Sequence, residues 1–281
     1  MPVLMPEPQN TLLGKDTVYS DRYNPNLLQP IARKLGRDAI GDHRFRGVDI
    51  WRLYEFSWLN MQGLPQTAII ELTVPATTKF IIESKSLKLY AGSYAMTRLS
   101  SQEEVSNRIS RDLSERLEGP VQVKLYRINE YHDSLQSMPG FSLDDLVLDK
   151  SEDIQTYETE PAYLIFAPNC KTLISKKTFS TTFFRSLCPV TGQPDLAAIT
   201  INYEGQPIDP KGLLKYLVSY RCHRGFHEQC VEQIFHDLRK AFNPLSLEVY
   251  ACFTRRGGID INPFRSSWRD IPEEFIREKR Q

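Results

Sequence analysis

Several common signatures of function are missing from this chain of 281 residues. It contains neither the Gly-x-Gly-x-x-Gly pattern of a Rossmann dinucleotide site nor the Gly-x-x-x-x-Gly-Lys-Ser/Thr pattern of a P-loop. It has no Cys-x-x-Cys pair, and its five cysteines are widely spaced. A bound nucleotide would therefore need another kind of site, and we expect the cysteines to be reduced thiols.

The chain also lacks net charge and long apolar runs. Its 35 basic residues are balanced by 35 acidic ones, whereas a broad nucleic-acid-binding face needs a basic excess. No apolar run approaches the roughly 20 residues that span a bilayer, and the first residues do not resemble a secretory signal. We expect a soluble, cytoplasmic protein that binds neither membrane nor nucleic acid.

The most informative segment that is present runs from Cys188 to Asp195 and reads Cys-Pro-Val-Thr-Gly-Gln-Pro-Asp. Pro189, Gly192 and Pro194 favour a turn and restrict its backbone. Such a loop holds a thiol and a carboxylate in one fixed relation. It predicts a cysteine nucleophile with an acid–base partner.

A weaker copy of this segment occurs at 57–66, which is 129 positions earlier. Three residues of the copy are identical to their partners: Ser57 to Ser186, Gly63 to Gly192 and Pro65 to Pro194. The alignment places Leu59 at the position of Cys188 and Gln66 at the position of Asp195. One frame is thus present twice, and only the second copy carries reactive groups.

Further matches extend the repeat. The segment Glu83–Tyr94 aligns with Asp209–Tyr220 at an offset of 126. An amphipathic helix follows in each half, with apolar stripes beginning at Val105 and Val231, and an alternating strand closes each half. Each unit is predicted to run strand, strand, helix, strand.

These patterns predict an α+β protein of two units, 1–140 and 141–281. A linker at about 129–160 holds nine acidic residues and one lysine, Lys150. Glu83-Ser84-Lys85 occurs only in the first unit, and the Cys/Asp pair only in the second. We therefore expect one site shared between the units, with water largely excluded from it.

Other residues suit a flat polar ligand and a phosphate. His227 and Glu228 begin the second helix, where a glutamate carboxylate can accept two N–H donors from a guanine-like edge. Glu83 offers a related contact. Arg255-Arg256-Gly257-Gly258, with Lys85, suits phosphate because guanidinium forks bind it and glycine allows close approach. The alternative for each is structural: caps for the acids and a solvated turn for the arginines.

A zinc site is the competing interpretation of one cluster of cysteines and histidines. It consists of Cys222, His223, His227 and Cys230. On one helix, only His223 and His227 would share a face, and the Arg224-Gly225 turn interrupts it. Zinc is accordingly the weaker hypothesis.

Together these motifs resemble one family, the NADPH-dependent 7-cyano-7-deazaguanine reductases, which are the nitrile reductases of queuosine biosynthesis. The resemblance rests on four segments in order: Glu83–Tyr90, Ser186–Asp195, Phe226–Glu228 and Arg255–Gly258. It covers nearly the whole chain and matches the long form with two units. It implies tandem tunnelling-fold units, with antiparallel sheets and helices packed on one face, and a homodimer without metal.

The resemblance also implies roles for individual residues. Cys188 adds to the nitrile carbon to give a covalent thioimidate, Asp195 protonates the nitrogen, and two NADPH molecules reduce the nitrile to the aminomethyl product. The implied substrate-binding residues are Glu83, Ser84, Lys85, His227 and Glu228. The implied NADPH-binding residues are Lys85, Ser86, Arg256 and Gly257.

Two other functions are compatible with the residues alone. A cyclohydrolase-like or pterin-related enzyme of the same fold would need zinc or a general-acid histidine at the pocket. A non-catalytic purine-binding module would have no need of Cys188.

Overall fold

The computed structural model describes residues 19–131, 134–149, 153–170 and 172–281. The first residues of the chain, used above to judge the absence of a signal, and Lys150 of the linker lie outside the described residues.

The described residues form ten strands and five α-helices. The strands are β1 (Pro30–Ala32), β2 (Arg46–Leu59), β3 (Pro65–Pro75), β4 (Phe80–Ile82), β5 (Gln122–Arg127), β6 (Phe141–Ser142), β7 (Ser175–Leu187), β8 (Pro194–Gly205), β9 (Ser246–Phe253) and β10 (Ile259–Ser266). The helices are α1 (Arg33–Ile40), α2 (Ser84–Gly92), α3 (Gln102–Leu117), α4 (Pro210–Val218) and α5 (His227–Phe242).

Eight strands form one continuous sheet in the order β5-β3-β2-β10-β9-β8-β7-β6. The sheets of the two predicted units are joined because β10, near the end of the chain, pairs antiparallel with β2, with Ile261 opposite Trp51. The neighbouring pairs are antiparallel except that β6 runs parallel to β7. The α+β class is confirmed, and the two units share a single sheet.

The helices cover one face of this sheet. The first core packs α2 and α3 residues such as Leu87 and Leu113 on β2 and β3, and includes Ile261 of β10. The second packs α4 and α5 on β7, β8 and β9. The expected arrangement of helices on one face is thus observed. The opposite face carries a smaller cluster that includes Val48, Tyr250 and Phe264, with Ile276 near the chain end packed against it.

The first unit contains two helices, α1 and α2, beyond the one that the sequence predicted, and the second contains one, α4. The aligned segments after Glu83 and Asp209 form α2 and α4, both nine residues long. Each acidic side chain accepts hydrogen bonds from the first backbone N–H groups of its helix. The predicted order of strand, strand, helix, strand is therefore wrong, because a short capped helix shows little apolar periodicity.

The two hairpins that begin the units have the same irregularity. In β2–β3 the register shifts between Leu53 and Phe56, and in β7–β8 it shifts between Thr181 and Phe184. Both bulges lie at the same distance from the hairpin end. The repeat seen in the sequence is therefore also a repeat of backbone geometry.

The strand pairing corrects one alignment. Leu59 pairs with Pro65 and Leu187 pairs with Pro194, so these two leucines are equivalent. Asn60, and not Leu59, therefore occupies the position of Cys188. For the same reason Trp58, and not Ser57, is equivalent to Ser186, so the match of the two serines was wrong. The first loop is one residue shorter than the second. An alignment of the two sequences without a gap therefore shifts the residues before the first loop by one position. The pairing of Trp58 with Gln66 and of Ser186 with Asp195 confirms that Gln66 occupies the aspartate position.

Residues 141–144 of the acidic linker belong to the folded structure. Phe141–Ser142 adds a strand beside β7, and Leu143 is fully buried in the second core. Asp144 accepts hydrogen bonds from Thr181 and Thr182 at the β7 bulge. The linker is thus integrated with the second unit, while the exact boundary at 140/141 stays a prediction. Within the described residues, none of the helices combines the length and apolarity needed to cross a bilayer.

Candidate active site

A cavity of about 220 Å³ lies where the two units meet. The first unit contributes Ser84, Lys85 and Lys88 of α2, and the second contributes the β7–β8 loop, the start of α5 and the β9–β10 loop. The residues singled out from the sequence that line it are Ser84, Lys85, Cys188, Asp195, His227, Glu228, Arg256 and Gly257. Residues distant in sequence therefore converge on one cleft with walls from both halves.

Cys188 is the first residue of the turn that connects β7 to β8, and it is half-buried. Its backbone N–H donates to Gln193 O at 2.9 Å, and its carbonyl accepts from Gly192 N at 2.9 Å. Gly192 has a φ of 70°, a left-handed conformation that favours glycine. The turn is thus fixed by its own backbone, which leaves the thiol to face the cleft.

Asp195 is the second residue of β8 and is 3 % exposed. It forms a salt bridge with Arg256, and His227 Nε2 lies 3.4 Å from its Oδ1. Burial alone would raise the pKa of Asp195, but the hydrogen bond and charge of His227, together with Arg256, hold that pKa below its ordinary value. Asp195 is therefore an anion at neutral pH, able to take a proton before it can give one.

His227 is the first residue of α5, and its ring stacks on Phe253 with 3.8 Å between centroids and 6° between planes. This stacking fixes the imidazole plane, with Nε2 toward Asp195. Nδ1 is buried and has no hydrogen-bond partner within the described part of the chain. The histidine thus offers one nitrogen to the carboxylate and one to a ligand.

Glu228 follows on α5 and is 3 % exposed. Its Oε1 is buried without a hydrogen-bond partner among the described residues. Burial raises the pKa of Glu228, the nearby charge of Asp49 raises it further, and Arg33 and Arg265 oppose the shift. A buried carboxylate with an open acceptor at a cavity wall suits a ligand that supplies N–H donors.

The opposite wall is the N-terminal turn of α2. Ser84 is exposed at the cleft beside Lys85. Glu83 is fully buried, and its carboxylate accepts from the backbone N–H groups of Lys85 and Ser86. Glu83 therefore caps the helix and does not line the cavity, so its contact with substrate stays a prediction.

Ser86 is likewise placed behind the wall. It is fully buried, and its hydroxyl donates to Glu83 O at 2.7 Å. Its predicted contact with NADPH is not reproduced by the lining of the cleft and also stays a prediction.

The β9–β10 loop brings a guanidinium and two glycines to the cleft. Arg256 lines it, whereas Arg255 turns away and lies over the Tyr54 ring at 4.8 Å. Gly257 and Gly258 have φ values of 57° and 78°. A Cβ at Gly257 would lie 3.0 Å from Lys88 Nζ, so a side chain would crowd this opening. Cations beside uncrowded backbone fit the phosphate groups of a dinucleotide.

Sequence reasoning missed the apolar part of the cavity and one lysine. Trp51, Ile259 and Ile261 form an apolar wall from the two strands that join the units. Lys88 lies one helical turn beyond Ser84, so recognising α2 as a helix would have found it. No local signal identifies the apolar wall, because β2 and β10 meet only in the folded chain.

The residues of the zinc hypothesis do not assemble. Cys222 is exposed, Cys230 is buried, and His223 Nδ1 is 3.1 Å from Thr159 Oγ1. Burial lowers the pKa of His223 to about 4. Across residues 19–131, 134–149, 153–170 and 172–281, no three His, Cys, Asp or Glu side chains are grouped to hold a metal ion.

Comparison with known proteins identifies the family. Residues 19–125 match a family model described as the N-terminal part of nitrile reductase, 7-cyano-7-deazaguanine-reductase, and residues 194–270 match one described as QueF-like protein. A protein of Burkholderia pseudomallei (strain 1710b) named NADPH-dependent 7-cyano-7-deazaguanine reductase is 44% identical over 278 residues, which is 98% of this chain and 99% of the relative. The chain belongs to this reductase family.

Other matches agree in part. The Burkholderia thailandensis protein of the same name is also 44% identical over 98% of this chain and 99% of its own length. The crystal structure of the archaeosine synthase QueF-Like in the apo form is 18% identical, with a TM-score of 0.30, and covers 35% of this chain and 96% of its own. Among these, the full-length relatives define the reductase family to which both units of the chain belong.

Proposed function

We propose that this protein is an NADPH-dependent oxidoreductase that reduces the nitrile of 7-cyano-7-deazaguanine to the primary amine of 7-aminomethyl-7-deazaguanine, a step of queuosine tRNA modification in the cytoplasm. The full-length similarity to proteins of that name supports the reaction. The observation that carries the proposal is the convergence of Cys188 and Asp195 with α2 on one cleft.

Substrate recognition is assigned to the start of α5. The open Oε1 of Glu228 accepts N–H donors from the deazaguanine edge, and Nδ1 of His227 contacts the ring system. Trp51 and Ile261 supply the apolar surface for its flat face. Ser84 and Lys85 close the opposite side, and Glu83 shapes this wall through its cap.

The covalent step is assigned to Cys188 and Asp195. The Asp195 carboxylate accepts the thiol proton, and the thiolate sulfur forms a bond to the nitrile carbon. One π bond of the nitrile breaks, and the nitrogen receives the proton back from Asp195. The product of this step is a thioimidate, in which no atom has yet been reduced. The ionised state of Asp195 supports this order, because a base is required first.

NADPH, when bound, supplies hydride, and two equivalents are needed to take a nitrile to an amine. The residues of this chain that fit its phosphates are Lys85 and Arg256, with Gly257 leaving room for close approach. The arginine also holds Asp195 in place, so the same side chain links the cofactor site to the acid–base group. Ser86 supports this region from behind through the α2 cap.

Mass spectrometry tests the covalent step. Incubation with the nitrile and no NADPH should add the substrate mass to the protein. Cys188→Ala should abolish that adduct, whereas Asn60→Ala, at the equivalent position of the first unit, should retain it. An adduct on the Cys188→Ala protein would contradict the assignment.

The cofactor assignment is tested by Arg256→Ala. The KM for NADPH should rise about tenfold or more, because a charge-assisted contact of about 1.5–3 kcal/mol is lost, and the KM for the nitrile should change less. Removing this cation should also raise the pKa of Asp195, so that the acidic limit of kcat moves to higher pH. Arg255→Ala is the control, and equal effects on both KM values would make Arg256 a structural residue.

We further propose that the protein acts as a homodimer. The sheet ends in β5 on one side and β6 on the other, and each terminal strand has an unpaired edge within the described sheet. Open edges favour pairing with another chain. Sedimentation of the purified protein should give twice the chain mass, and a monomer would contradict this.

A further inference from the structure

Directly behind Glu228 lies a network of buried charges that the reaction as proposed does not use. Arg33 of α1 pairs with Asp49 of β2 at 2.6 Å, and Arg265 of β10 pairs with Asp49 at 2.8 Å. Arg265 and Arg37 also pair with Glu232 of α5 at 2.8 Å and 2.7 Å. These five residues are at most 8 % exposed and join elements of both units.

The network adjoins the substrate wall through α5. Glu228 and Glu232 are neighbours one turn apart on the same face of that helix. Glu228 lines the cavity, and Glu232 pairs with the arginines. Three arginines oppose two carboxylates, which leaves one positive charge in excess. An ionised Glu228 would balance it. Arg33 Nη1 is buried and lies 3.7 Å from Glu232 Oε1, but it makes no hydrogen bond within the described residues.

Burying this many charges costs free energy and is poor support for stability alone. Apolar residues of similar volume would pack the two units together with a smaller desolvation penalty. A buried ionic network beside an unpartnered ligand-facing carboxylate therefore points to an electrostatic task. The charges that act on Glu228 from outside the cleft are those of Asp49, Arg33 and Arg265. On the walls of the cleft itself lie Lys85, Lys88, Asp195 and Arg256, with His227 on the same helix as Glu228.

We infer that Arg33 and Asp49 are positioning residues that set the charge of the Glu228 carboxylate, and through it the affinity for the N–H edge of the substrate. Arg33 favours the ionised, hydrogen-bond-accepting form, and Asp49 opposes it. Neither residue lines the cavity, so neither is placed to contact the substrate directly. This inference rests on the proposed role of Glu228 in holding the deazaguanine.

The opposite signs of the two residues provide the test. The dissociation constant of 7-cyano-7-deazaguanine is measured against pH in a Cys188→Ala background, which prevents the covalent step. Binding should strengthen as pH rises through the pKa of Glu228, because the carboxylate must be ionised to accept. Arg33→Gln should move this midpoint to higher pH and weaken binding about tenfold at neutral pH, as expected for one pKa unit. Asp49→Asn should move it to lower pH and tighten binding several-fold.

Matched variants separate an electrostatic role from a structural one. Arg33→Lys keeps the charge and should leave the midpoint unchanged, and it also serves if Arg33→Gln fails to fold. Arg37→Gln breaks the same network from the same helix but at Glu232, so it should lower the unfolding temperature without moving the midpoint. Midpoints that move in the same direction for Arg33→Gln and Asp49→Asn, or that move equally for Arg37→Gln, would overturn the inference.

Glu228→Gln distinguishes this inference from the proposal beneath it. Loss of binding in Glu228→Gln together with unmoved midpoints in the Arg33 and Asp49 variants would refute the positioning role alone. Unchanged binding in Glu228→Gln would refute the assignment of Glu228 to the substrate, and the inference with it.

Discussion

The β2–β3 and β7–β8 hairpins have similar backbone geometry, but the first residue of the loop, Asn60 or Cys188, has a different role in each. In the first unit Asn60 Oδ1 accepts from Gln62 N at 3.0 Å and from Leu64 N at 2.8 Å, so the side chain closes its own turn. Both turns have the same pair of backbone hydrogen bonds and a left-handed glycine, but in the second unit, where the turn is one residue longer, the side chain at that position is a thiol that lines the cleft. Because the Cys188 side chain is not needed to stabilise its turn, it can react with a ligand in the cleft.

The first turns of α3 and α5 also contain equivalent positions in different environments. Both helices contain 16 residues, so Gln102 and Glu103 are equivalent to His227 and Glu228. Glu103 is exposed on the surface, whereas Glu228 is buried against the network at the joint. The residue type is the same, and the environment makes one glutamate a first-turn charge and the other a candidate ligand contact. The two units therefore differ in the residues at a few loop positions and in which equivalent residues are buried where the units meet.

The largest expected difference in kcat is between variants of Asp195 and of Gln66, its equivalent in the first unit. Asp195→Asn should lower kcat by about 10²–10⁴, because the thiol proton loses its acceptor and the nitrogen its donor. Gln66→Ala should change kcat by less than about twofold, since this side chain donates hydrogen bonds to the carbonyls of Leu64 and Pro65 in its own turn. Steady-state NADPH oxidation measures both, and comparable losses would mean that the first hairpin is also part of the site.

The two turn glycines give an intermediate effect. Gly192 and Gly63 have φ values of 70° and 87°, so alanine at either position should destabilise the fold by about 1–2 kcal/mol. Gly192→Ala should also lower kcat about ten- to hundredfold, because Gly192 N is bonded to Cys188 O and the turn holds the sulfur. Gly63→Ala should leave kcat unchanged. Thermal unfolding and kinetics together test this, and a Gly192→Ala enzyme with full kcat would show that the turn does not position the thiol.

The smallest effect on catalysis concerns a tyrosine–aspartate cluster that occurs in both units. Tyr90 OH bonds Tyr94 OH and Asp112 at 2.7 Å each, and Tyr216 OH bonds Tyr220 OH and Asp237 at 2.8 Å and 2.7 Å. Tyr90→Phe and Tyr216→Phe should each lower the free energy of unfolding by about 1–3 kcal/mol, since a buried acceptor loses its donor. Neither should change KM for the nitrile. Chemical denaturation checks the first statement, and a selective loss of affinity in one variant would tie that cluster to the site.

Much of this could be predicted from the sequence where the signal is local. The α3 and α5 stripes, the closing strands and the loop Cys188–Asp195 follow from periodicity and turn chemistry. The helix α2 was missed because nine capped residues carry little periodic signal. The one-residue gap at Asn60 was missed because strand pairing, and not residue identity, fixes it.

The sequence alone determined the α+β class, the tandem repeat and the candidate residues, because each is encoded in short-range spacing and residue type. Only the tertiary structure decided that β10 joins the sheets of the two units, that the Glu83 carboxylate caps α2, and that Arg33 and Arg265 pair with Asp49. These depend on contacts between residues up to about two hundred positions apart. Such contacts are set by burial and charge pairing in the folded chain, and no local pattern of residues specifies them.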